Sequence, residues 1–330
     1  MEDCMEYTKG DYYKEAAHCK PCLNRLVGQI ARMSTDSEEL QRRAEELGEE
    51  MVERLFCPGR TPAETATEFA RAIRALTGVY DPFREHKRKE VEVAREALSG
   101  MTIKSDDMSL MELAVLGNTV DYFKTPERVR RELAVAVDFG IDHRDVFLEK
   151  LYKLSSVDRA HYKNGQQTQN IDEKRGAFHV GSGETGQGRE LLYLADNAAE
   201  LMFDIPCLMH WHENGVKVVL VLKGGPVQND ATLKDLEALD FMKLPFEVVD
   251  NGTDGVGTPL EECSEVFRER FERAGLILAK GMANFETLRA EKTPDILFLL
   301  LAKCPVNAHF LGVKEGRAAA LFRNEAEKTA

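Results

Sequence analysis

From residue 189 onward the chain alternates short, fully apolar runs with stretches of helical period, and few folds accept that pattern. Residues 191–195, 216–222, 246–249, 276–279, 296–302 and 318–322 read as strands. Helical stretches, among them 231–239 and 259–273, separate most of them. A strand that is apolar on both faces must be covered on both faces. The pattern therefore predicts a mostly parallel sheet between helical layers, a Rossmann-like three-layer α/β/α domain.

The first half differs. Residues 1–153 read as helices only, and 154–188 as a polar linker or insertion. Thr35-Asp36-Ser37-Glu38 and Thr61-Pro62-Ala63-Glu64 have the form of capping boxes. Further helices are expected over 81–98 and 109–122, with others beginning near Thr125 and Asp142. The domains expected are thus helical (1–153) and catalytic (189–330), with the site at their interface. Gly181-Ser182-Gly183-Glu184-Thr185-Gly186 has the look of a phosphate loop. It lacks the Gly-Lys-[Ser/Thr] ending and precedes a strand, so it reads as linker.

Composition narrows the function classes. A net charge of −13 opposes binding to nucleic acid or to an anionic membrane. The apolar run at 296–302 is far too short to span a bilayer, and residues 1–14 lack the apolar core of a secretory signal. Seven widely spread cysteines do not form a secreted disulfide framework. A cytoplasmic location is expected, with no nucleic-acid or membrane partner.

Ligands of such sheets bind outside the carboxyl ends of the strands. The first strand ends in Asp196-Asn197 and the second runs through Lys223-Gly224-Gly225-Pro226 to Asn229-Asp230. The third gives Asp250-Asn251-Gly252-Thr253-Asp254. The fourth gives Lys280-Gly281-Met282-Ala283-Asn284-Phe285-Glu286, and the fifth Lys303-Cys304-Pro305. Carboxylates and carboxamides suit Mg²⁺ or Mn²⁺, and lysines beside them suit a phosphoryl group. No Gly-x-Gly-x-x-Gly follows the first strand, which disfavours a dinucleotide fold. His210 and His212 lie two apart, so they do not share a helix face. Taken singly, Asn197 with Glu200, and Asp230 before Ala231, also read as helix caps. Thr258-Pro259-Leu260-Glu261 reads as a capping box and nothing more.

Leu194-Ala195-Asp196-Asn197-Ala198-Ala199-Glu200, Lys223-Gly224-Gly225-Pro226 with Asn229-Asp230-Ala231-Thr232, and Lys280-Gly281-Met282-Ala283-Asn284-Phe285-Glu286 resemble the damage-control phosphatase family. The resemblance extends into the helical half through Cys19-Lys20-Pro21-Cys22, Asp81-Pro82-Phe83-Arg84 and Gly117-Asn118-Thr119-Val120-Asp121. It implies a metal-dependent phosphatase acting on small phosphorylated metabolites, including sugar phosphates and damaged phosphometabolites. It also implies that Asp196, Asn197 and Asp230 hold the metal (Mg²⁺, Mn²⁺, Co²⁺ or Ni²⁺) and that Lys280 contacts phosphate. Ala199 stands where the family usually has Gly. Asn118, Asp121, Glu200, Lys223, Asn284 and Arg84 complete the expected substrate-binding set.

Two further readings come from the residues alone. The helix carrying Asn118, with Asp121 one turn on, is apolar nearly all round, so both polar groups need buried partners or face the site. Cys19 and Cys22 could hold a second metal or remain unligated thiols. An S-adenosylmethionine-dependent methyltransferase and a non-catalytic metabolite- or metal-binding module are the alternative functions.

Overall fold

The computed structural model describes residues 11–119, 125–155, 190–239 and 243–324. Asp121 lies outside the described residues, as do the phosphate-loop lookalike at 181–186 and nearly all of the polar stretch around it. The helices preceding the sheet are α1 (Asp11–Lys14), α2 (Ala16–Ser34), α3 (Glu38–Leu55), α4 (Pro62–Thr77), α5 (Arg84–Leu98), α6 (Asp107–Gly117) and α7 (Pro126–Leu133). A strand, β1 (Phe139–Asp142), and α8 (Arg144–Leu154) follow. Then come β2 (Glu190–Leu194), α9 (Leu201–Glu213), β3 (Lys217–Leu222), α10 (Asp235–Ala238), β4 (Glu247–Asp250) and α11 (Glu265–Glu272). The chain closes with β5 (Leu276–Lys280), α12 (Gly281–Leu288), β6 (Ile296–Leu301), α13 (Pro305–Leu311) and β7 (Ala318–Arg323).

The seven strands lie in the order β1-β7-β6-β5-β2-β3-β4. All neighbours are parallel except β6 and β7, which are antiparallel. β2 carries β3 on one side and β5 on the other, so the strand order reverses there. The crevice beyond the carboxyl ends of β2 and β5 is thus the position where open α/β sheets bind ligands.

Alternation along β2 divides the core. Leu192 and Leu194 join a cluster with Val27, Phe69 and Phe285. Leu191 and Tyr193 join one with Phe147, Phe203 and Trp211. Helices α2 to α4 therefore cover one face, and α5 to α9 the other. Both layers draw on the segment before residue 155, whose apolar residues share the sheet's two cores.

Local signals explain most boundaries. The Thr61 box forms fully: Glu64 N–H donates to Thr61 Oγ1 (3.1 Å), and Thr61 N–H to Glu64 Oε2 (2.7 Å). The other box starts two residues later than expected, because Ser37 caps α3 by accepting from Leu40 N–H. Where only helices were expected, Phe139–Asp142 forms β1, held parallel to β7. The expected helix over 231–239 shrinks to α10, and that over 259–273 splits into a 3₁₀ turn, Leu260–Glu262, and α11, which Ser264 caps. Thr258 is no cap: its hydroxyl donates to Asn284 Oδ1 (2.7 Å).

Candidate active site

Asp196 and Asn197 leave the end of β2 extended, and residues 229–231 cross them antiparallel. Ala198 N–H donates to Asn229 O and Ala231 N–H to Asp196 O, both at 2.9 Å, forming an isolated bridge between Asn197 and Asp230. Lys223 N–H, at the end of β3, donates to Ala231 O (2.9 Å) and ties the crossing segment to the sheet. These backbone bonds bring Asp196, Asn197 and Asp230 to one wall. The cap readings of Asn197 and Asp230 do not hold. Asn197 makes no capping bond, and α10 begins only at Asp235.

Buried amides and carboxylates orient the wall. Asn197 Nδ2 donates to Glu200 Oε1 (2.7 Å). Asn118 Nδ2, from the end of α6, donates to the same oxygen and to Asp196 Oδ2 (3.3 Å). With its nitrogen committed to Glu200, the atom that Asn197 offers a cation is its amide oxygen. Asn284 is buried beneath: its nitrogen donates to Ala195 O (3.2 Å) and Lys280 O (2.8 Å), tying β2 to α12. Gly281, at φ +78°, packs on the Asp196 carboxylate.

The lysines take positions that their strand ends do not reveal. Lys280 was expected at phosphate, but its side chain is fully buried and its ammonium donates to Ala114 O (2.8 Å), Asp204 Oδ1 (2.7 Å) and Glu200 Oε2 (3.2 Å). Burial opposes its charge, but Asp204 and Glu200 prevail and raise its pKa. Lys223 is also buried; it donates to the carbonyls of Gly255 (3.1 Å) and Gly257 and lies 3.4 Å from Asp230 Oδ2. The amine on the cleft wall is instead Lys303, just past β6. Arg84 is exposed, outside the residues that line the cleft; its neighbour Phe83 faces it.

The cleft measures about 370 Å³. Asp196, Asn197, Asp230 and Asn118 form its floor, and Gln228, Asn229, Val256 and Met282 extend the sheet side. The rest of the lining comes from Leu26 and Gln29 on α2, Phe83 just before α5, and His86 and Glu90 on α5. Glu90 joins the walls: it accepts from Asn229 Nδ2 (3.1 Å) and lies 3.1 Å from His86 Nε2. Among the described residues, Gln228 is the only non-glycine at positive φ (+44°), and it lies on this cleft. Asn229 and Lys303 were visible as strand-end residues. His86 and Glu90 carried no sequence signal, because a helix so charged reads as a solvated face.

Charge at the floor is unbalanced. Burial, then Glu200 and Asp230, hold the Asp196 carboxyl well above its usual range, against the pull of Lys303 and Lys280. Burial also raises Asp230, against Lys223. Buried carboxylates with raised pKa values want a cation, and the donors here are hard oxygens. Among the described residues, no group of three or more His, Cys, Asp or Glu side chains could hold a metal ion. Cys19 is buried and Cys22 exposed, both as free thiols, and burial pushes Cys19 up to about 12.

Residues 16–319 match the damage-control phosphatase ARMT1-like domain. The chain belongs to the damage-control phosphatase family. A damage-control phosphatase of Pyrococcus horikoshii is 30% identical over 310 residues, covering 93% of this chain and 97% of the relative. One from Archaeoglobus fulgidus is 28% identical over 303 residues, covering 90% and 95%. A crystal structure of a DUF89 family protein from P. horikoshii superposes with a TM-score of 0.73 at 28% identity, covering 92% of this chain and 96% of that one. In this family member no described helix is long and apolar enough to cross a membrane.

Proposed function

We propose that this chain is a divalent-metal-dependent phosphatase hydrolysing phosphate monoesters of small metabolites, sugar phosphates among them. The family membership supports a phosphatase over a methyltransferase or a non-catalytic binding module. The observation that carries the metal reading is the backbone bridge that sets Asp196, Asn197 and Asp230 together on the acidic floor of the cleft.

These three residues would hold the ion. When bound, a divalent ion supplies positive charge to the phosphoryl oxygens and to the attacking oxygen. The protein's own part is orientation. Glu200 fixes the Asn197 and Asn118 amides, and Lys280 neutralises Glu200 from beneath. Lys223 steadies Asp230. Leu26, Phe83 and Val256 give the cleft apolar surface that limits water around the ester. Gln29, Gln228 and Asn229 offer amides to the hydroxyl groups of a sugar.

The test is phosphate release from a panel of phosphate esters with Mg²⁺, Mn²⁺, Co²⁺ or Ni²⁺. Metal-stimulated turnover is expected, falling at least about 100-fold in Asp196→Ala. Full metal-stimulated activity in that variant overturns the assignment.

A further inference from the structure

We propose that Glu90, on α5, decides which alcohol the cleft accepts: it admits phosphate esters of uncharged polyols and rejects those whose alcohol half carries a second anionic group. The proposal rests on the phosphatase reading and extends it to the leaving group.

The helix supplies the geometry. Phe83, His86 and Glu90 follow one another at spacings of three and four residues, so they share one face of α5, and all three line the cleft. The rings of Phe83 and His86 meet edge to face, with centroids 5.9 Å apart. Glu90 is only 3% exposed, although its helix is dense in charge. It accepts from Asn229 Nδ2 (3.1 Å) and lies 3.1 Å from His86 Nε2. These partners take part of its roughly four acceptor positions, and the side chain still reaches the cleft lining.

Its place beside the floor gives the carboxylate its role. Asn229, which Glu90 holds, immediately precedes Asp230, and the bridge between Asp230 and Asn197 builds the floor. With the phosphate over Asp196, Asn197 and Asp230, the alcohol half meets the α5 side. A hydroxyl there donates to Glu90 and accepts from an amide such as that of Gln228. Gln228 is held at φ +44°, and such backbone outliers persist where a fold fixes a residue against a ligand. A second anion would instead face a carboxylate shielded from water, where like charges repel strongly.

The experiment compares Mn²⁺-loaded wild type and Glu90→Gln on two matched pairs: glycerol 3-phosphate with 3-phosphoglycerate, and sorbitol 6-phosphate with 6-phosphogluconate. Within each pair a terminal hydroxymethyl group is replaced by a carboxylate. In at least one pair, the wild type should show kcat/KM at least about 100-fold lower for the carboxylate member. Glu90→Gln should shrink that ratio at least about tenfold. A residue that merely braced Asn229 would change both members alike, so an unchanged ratio overturns the proposal. Equal wild-type kcat/KM within both pairs overturns it without any variant. So does a wild type that cleaves para-nitrophenyl phosphate but neither polyol phosphate. If the wild type cleaves none of the five esters, the phosphatase reading itself fails. Calorimetric binding of the same pairs then judges Glu90, and equal affinities within both pairs reject it.

Discussion

Gly281 rests against Asp196 so closely that a Cβ there would lie 1.8 Å from Oδ2 of the carboxylate. Its φ of +78° is independently costly for any L side chain. The first residue of α12 thus shapes the floor at the end of β2, across the switch point of the sheet.

Gly281→Ala should displace the Asp196 carboxylate while leaving the fold in place. The backbone strain costs about 1–2 kcal/mol, which a domain of this size absorbs. Mn²⁺ affinity should fall at least about tenfold. Calorimetric titration beside a circular-dichroism spectrum checks this, and unchanged affinity in a folded variant contradicts it.

Lys280→Met should act mainly on stability. Removing one partner of a buried ion pair leaves the others uncompensated, typically costing 3–5 kcal/mol. Burial already pushes Asp204 up to about 6 in spite of Lys280. The urea midpoint should drop with an unchanged slope, and adding Asp204→Asn should restore part of the loss. A double variant less stable than the single one would refute this pairing.

Glu286 predicts a pH dependence away from the metal wall. Burial pushes its carboxyl up to about 7, against an ordinary 4.5, although the Asn307 amide, Arg289 and Ala63 N–H oppose the rise. The folded chain therefore binds this proton more tightly than the unfolded chain. Its stabilising contribution is present below about pH 4.5 and is lost as the pH rises through about 7, a difference of up to about 3 kcal/mol. Glu286→Gln should flatten the fall in thermal midpoint between pH 5 and 7.5 relative to wild type. Parallel curves for the two proteins would count against it.

Residue type and strand position made much of this legible. Apolar runs announce a covered parallel sheet, and the polar residues that end them announce a site. What stayed hidden depends on long-range partners. The direction taken by Lys280 is set by Asp204, on α9, and by a carbonyl on α6. His86 and Glu90 lie in a run of charges, and only packing across the sheet end converts that face into a cleft wall. β1 escaped because Phe139-Gly140-Ile141-Asp142 has no apolar run, and its pairing is decided by β7.

That pairing has a consequence for how the molecule comes into being. β1 and β7 are about 180 residues apart in the chain, and β7 is the last strand among the described residues. During synthesis β1 has no neighbour to bond until Ala318–Arg323 has left the ribosome. The outer margin of the sheet is therefore completed only once β7 has been made, and a chain truncated before residue 318 leaves β1 an orphan edge.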